Sequence, residues 1–104
     1  MGFKSRRSKA CDISPEVKRI VYARDGGLCV ICHRPGDPNA HYIPRSHGGL
    51  GIEENVVTLC RFCHDAFDNG PYRAEFGGAI RDYLAKYYKE WDERKLIYRK
   101  GGIL

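Results

Sequence analysis

Cys29-Val30-Ile31-Cys32 and Cys60-Arg61-Phe62-Cys63 are the two stretches whose reading decides how this chain folds. Each holds two cysteines with two residues between them, and the intervening chain is long enough for one hairpin. A two-residue gap lets both sulfurs reach one tetrahedral ion at about 2.3 Å, so two matched pairs point to a structural zinc bound by Cys29, Cys32, Cys60 and Cys63. Four thiolates fill every position and leave none open for chemistry. Two disulfides are a rival reading. The opening segment carries positive charge without an apolar run or a small-residue cleavage site behind it, so a reducing cytoplasm is expected and disulfides are disfavoured. A thioredoxin-like redox motif would need one pair near a strand-to-helix turn rather than two matched pairs.

The 104 residues make a single domain near the lower end of what builds its own core, so an additional staple is expected. Metal binding coupled to folding supplies one, with apparent free energies of about 10–16 kcal/mol in zinc-finger peptides. Cys11, the fifth cysteine, is left over as a free thiol. With 30% charged and 12% aromatic residues, and no apolar run near the ~18 residues a bilayer requires, the chain reads as neither disordered nor membrane-spanning. A net charge of +5 suits a polyanion such as nucleic acid, although ordinary solubility charge accounts for it equally well.

Outward from the cysteines, residues 1–12 are basic and aperiodic and read as a flexible arm, a DNA contact or a solvated tail; residues 13–104 form the folded domain. Ser14-Pro15-Glu16 is a helix start, followed by Val17, Ile20 and Val21 at helical spacing and stopped by Gly26-Gly27. His41-Tyr42-Ile43 and Val56-Val57-Thr58-Leu59 are β-favouring runs joined by a glycine-bearing loop, as in a hairpin. Arg61 to Asp68 predicts a short helix ended by Asn69-Gly70-Pro71. Ile80, Leu84, Tyr87, Tyr88 and Trp91 predict an amphipathic helix from Phe76 to about Glu93, its stripe serving core packing in preference to base stacking. Arg94 to Leu104 reads as a final strand or an ordered tail.

A second set of polar residues, His41, Asn55, His64 and Asp68, is not explained by the zinc site. The stretch His41-Tyr42-Ile43-Pro44-Arg45-Ser46-His47-Gly48-Gly49, followed by Asn55 and by Leu59-Cys60-Arg61-Phe62-Cys63-His64, resembles the HNH endonuclease family. That family's pattern runs His, two residues, Pro, a glycine pair, Asn, then Leu-Cys-x-x-Cys-His. The resemblance covers a core motif of about residues 28–70. It implies an α+β chain: a small zinc-stapled ββα-metal domain with flanking helices, acting as a metal-dependent endonuclease on DNA.

The same resemblance assigns His41 as the general base, a role that a neutral imidazole fills well near neutral pH. It assigns His64 as a ligand of a catalytic divalent ion and Asn55 as the residue that ties loop to strand and orients the base. Many relatives carry Asp or His immediately before the base as a second metal ligand, and here that position is Ala40. Asp68, four residues after His64 and therefore on the same helical face, is the expected replacement. Two protein ligands suit loosely held Mg²⁺ or Mn²⁺, while histidine ligation also admits Zn²⁺ or Ni²⁺. Arg45 and His47 are candidate phosphate contacts, each with surface exposure as the plain alternative. A zinc-ribbon module that binds nucleic acid without cutting it is the competing function, and monomer and homodimer are both open.

Overall fold

Ser14 and Pro15 open the first long helix: the Ser14 hydroxyl accepts the Val17 N–H at 3.1 Å, and Pro15 sits at the first position, where no N–H is needed. The computed structural model describes residues 5–99. Its elements are helices α1 (Arg6–Cys11) and α2 (Pro15–Arg24), strand β1 (Asp37–His41), a 3₁₀ turn (Arg45–His47), strand β2 (Val56–Leu59), helices α3 (Arg61–Asn69) and α4 (Arg73–Tyr87), and a second 3₁₀ turn (Glu93–Leu96). The class is α+β as expected, with one two-stranded antiparallel sheet among the described residues. No helix among them is long and apolar enough to cross a membrane.

The hairpin pairs His41 with Val56 and Ala40 with Val57, but Asp37 with Leu59. The register therefore slips by one residue within β1, at Pro38-Asn39. Proline cannot donate to a ladder, and a bulge is where a strand accommodates it. The first strand also lies earlier than the β-favouring residues suggested, ending at His41 instead of beginning there. Beyond it Tyr42 and Ile43 still donate their N–H groups, to the Asn55 carbonyl at 2.7 Å and the Asn55 side chain at 2.8 Å. All four residues of β2 are buried.

One core cluster joins Val57 and Leu59 of the sheet to Phe67 of α3 and to Ile80 and Leu84 of α4, with Tyr83, Tyr88 and Trp91 packed against it. The aromatic stripe thus serves packing, as its spacing suggested. The helix that carries it runs from Arg73 to Tyr87, not from Phe76 to Glu93, and Tyr88 is already extended. Long-range hydrogen bonds follow immediately beyond that end. The Tyr88 hydroxyl donates to Glu53 at 2.8 Å and the Trp91 indole to the Glu54 carbonyl at 2.8 Å, which ties the chain to the start of β2.

Under this layer lies an ion pair. Arg24 and Asp25 meet at 2.8 Å with side chains 2% and 0% exposed. Arg24 also donates to the carbonyls of Glu53 and Val56, both at 2.7 Å, while Asp25 accepts the Thr58 N–H at 2.8 Å and the Tyr83 hydroxyl. The end of α2 is thereby bonded to β2 and α4 together.

The segment expected to be a flexible arm is helical over Arg6–Cys11, and Cys11 is buried and unpaired with any other cysteine. Ser5 caps this helix by accepting the Ser8 N–H. Residues 1–4 lie outside the described residues, as do 100–104 of the expected final strand or tail. Within that tail Ile97 forms an isolated antiparallel bridge with Gly49.

Candidate metal centre and catalytic cleft

The Sγ atoms of Cys29, Cys32, Cys60 and Cys63 all lie within 4.8 Å of one another. Four sulfurs at that spacing fit a tetrahedral zinc with bonds near 2.3 Å. Each pair is shaped by its own backbone. The Cys32 N–H points to Cys29 Sγ at 3.5 Å, and the Cys63 N–H to Cys60 Sγ at 3.4 Å. The second contact makes Cys60 the N-cap of α3, so one residue both begins the helix and offers a ligand. The first pair is folded back by the Cys29 N–H to the Arg34 carbonyl at 2.7 Å, with His33 in a left-handed conformation at φ 66°. Burial pushes the Cys29 thiol up, but N–H groups of Cys32, Cys60 and Ile31 outweigh it and bring its pKa to about 7. Burial and the neighbouring thiols push Cys63 upward. A divalent ion would reverse that penalty, since crowded thiols become favourable as thiolates beside a cation.

An open cleft of about 590 Å³ is lined by residues that include His41, Arg45, His47, His64 and Asp68. His64 and Asp68 lie one turn apart on α3, and His64 Nε2 is 3.1 Å from Asp68 Oδ2, with side chains 30% and 47% exposed. A nitrogen and a carboxylate at that spacing fit a divalent ion that keeps water or phosphate in its other positions. Among the described residues only the four cysteines gather three or more His, Cys, Asp or Glu ligand atoms within 4.8 Å. His41, His64 and Asp68 line one cleft without forming so tight a cluster. Ala40, at the position where the family resemblance implies a ligand, is wholly buried and paired with Val57.

His41 is half-buried at the end of β1. Its Nε2 lies 2.8 Å from the main-chain oxygen of Cys11. A carbonyl can only accept, so Nε2 bears the proton and Nδ1 keeps its lone pair. Burial pulls the imidazole below its ordinary value of 6.5; the Cys11 hydrogen bond opposes this, while the charge of Arg45 adds to it. His41 is accordingly neutral at pH 7.

Asn55 is wholly buried and uses its amide in three directions. Its Oδ1 accepts the Ile43 N–H at 2.8 Å, and its Nδ2 donates to the carbonyls of Ile43 at 3.1 Å and Leu50 at 2.8 Å. Both ends of the glycine loop are thus fastened beside His41. Arg45 is engaged by Asp12 at 2.8 Å, a partner the sequence did not suggest, and His47 is exposed at the cleft.

Two cleft residues escaped the sequence reading. Asn39 stands two positions before His41, a spacing that places both on one side of a strand. Arg73 begins α4, where its guanidinium lies over the Phe67 ring at 5.1 Å. The strand period could have drawn attention to Asn39; nothing local marks Arg73.

Residues 29–70 match the family model described as HNH endonuclease. No curated protein matches the chain.

Proposed function

We propose that this chain, whose residues 29–70 match the HNH endonucleases, hydrolyses phosphodiester bonds of DNA with His41 as general base and one divalent ion held by His64 and Asp68. The observation that carries this reading is the cleft itself, in which a neutral imidazole with one free lone pair shares a wall with a histidine and carboxylate pair. His41 Nδ1 takes the proton of the attacking water. The ion, when bound, polarises the scissile phosphate and offsets charge on the leaving 3′ oxygen. His47 and Arg73 are placed to contact phosphate, and Arg45 can do so where phosphate displaces Asp12. Asn55 positions the base by holding the loop, and the cysteine cluster holds the structural zinc on which α3 is built. The products are a 5′ phosphate and a 3′ hydroxyl.

Supercoiled plasmid incubated with Mg²⁺ or Mn²⁺ is expected to be nicked, EDTA to stop the reaction, and His41→Ala to lower the rate by about 10²–10⁴ while leaving DNA binding and circular dichroism unchanged. A His41→Ala protein that cuts as fast as its parent would remove His41 from the chemistry. The buried, ligand-free Ala40 supports a second reading, a zinc-stapled nucleic-acid-binding module without catalysis. It predicts salt-dependent gel shifts and no cleavage with any divalent ion.

A further inference from the structure

Helix α1 and its C-cap Asp12, which lie outside the segment that matches the nuclease family, meet residues 41–51 at several independent points. Arg7 donates to the Ser46 carbonyl at 3.0 Å, Asp12 pairs with Arg45 at 2.8 Å, and the Gly51 N–H reaches the Ala10 carbonyl at 2.9 Å. The fourth contact is the one between His41 Nε2 and the Cys11 carbonyl. Carbonyls in the last turn of a helix have no donor within it. In α1 one of these is used by the glycine loop and the next by the imidazole.

We propose that α1 is a positioning element of the active site, its Cys11 carbonyl holding His41 in the Nε2–H tautomer with Nδ1 as the proton acceptor. A neutral imidazole free of such a bond exchanges tautomers and can turn over about its Cβ–Cγ bond, so only part of the population would present the lone pair. The carbonyl selects one tautomer and one ring orientation at once. Main-chain origin matters, because a carbonyl carries no charge that titrates and the preference survives any side chain at position 11. The inference rests on His41 being the base, but the tautomer can be measured without catalysis.

Gly51 offers a lever. A Cβ there would collide with the Asp12 carbonyl oxygen and stand 3.0 Å from that of Cys11, so Gly51→Ala must push the end of α1 away. The experiment uses full-length, zinc-loaded protein with ¹⁵N-labelled histidine and long-range ¹H–¹⁵N spectra at neutral pH. The parent is expected to show His41 as a single Nε2–H tautomer, and Gly51→Ala a tautomer mixture. Plasmid nicking by Gly51→Ala should show kcat reduced about 10- to 100-fold, the usual cost of losing a histidine's orienting partner, with KM nearly unchanged. The double variant Arg7→Ala/Asp12→Ala severs the two exposed ties instead; it should shift the tautomers the same way and decides the matter if Gly51→Ala does not fold. An Nδ1–H or mixed tautomer in the parent overturns the proposal. So does a folded Gly51→Ala protein with parental tautomer and rate. Should the parent fail to nick DNA, the proposed function falls while the tautomer spectra still decide the role of α1.

Discussion

His64 and Asp68 stand one turn apart on α3, Nε2 3.1 Å from Oδ2, at the point where the helix faces His41 across the cleft. The pair depends on the four-cysteine site, because Cys60 caps α3 and Cys63 lies in its first turn. Asp68→Ala should weaken binding of the proposed catalytic ion without disturbing the fold. The Mn²⁺ concentration for half-maximal nicking is expected to rise about tenfold or more. Calorimetric titration of Mn²⁺ into the zinc-loaded protein checks this apart from catalysis, and unchanged affinity would exclude Asp68 as a ligand.

Acid is expected to stop the proposed nicking by protonating His41. Burial, the largest influence, holds its pKa below the ordinary 6.5, so activity is expected to fall as pH drops through that lowered value. The profile of kcat/KM against pH is expected to be flat above neutrality with its acid limb below pH 6.5. An acid limb centred above 6.5 would contradict the burial of this imidazole or its role as base.

Removing a metal ion held by the four cysteines should unfold the chain. With so small a core, a site worth about 10–16 kcal/mol in zinc-finger peptides outweighs the rest of the stability. Cys60→Ala removes a ligand and the N-cap of α3 in one change, and is expected to abolish cooperative melting. Substitution by Co²⁺ offers a direct check: four thiolate ligands give intense charge-transfer absorption, whereas binding at His64 and Asp68 gives none. Absence of those bands in the parent would exclude the four-cysteine site.

Arg24→Ala should destabilise the zinc-loaded protein by about 3–5 kcal/mol, because it leaves the Asp25 carboxylate buried without its partner. Arg24→Lys is expected to recover only part of this, since a single ammonium cannot reach Asp25 and the two carbonyls of Glu53 and Val56 as the guanidinium fork does. Urea denaturation at saturating zinc measures both. A loss under 1 kcal/mol for Arg24→Ala would show the pair to be dispensable.

The sequence by itself determined the parts of this protein that obey local geometry. Two-residue gaps define the cysteine pairs, Ser14 and Pro15 define the start of α2, and a four-residue step puts His64 and Asp68 on one helical face, all through spacings of a few residues. Tertiary structure alone decided where α4 stops, because Tyr88 and Trp91 bond to Glu53 and Glu54 far along the chain. It also decided that Arg24 and Asp25 are buried as a pair rather than solvated as neighbouring charges. Most of all it decided what holds His41. The acceptor is a main-chain carbonyl at Cys11, thirty positions away, and since every residue carries the same carbonyl no side-chain pattern could reveal which one the fold would bring to the imidazole.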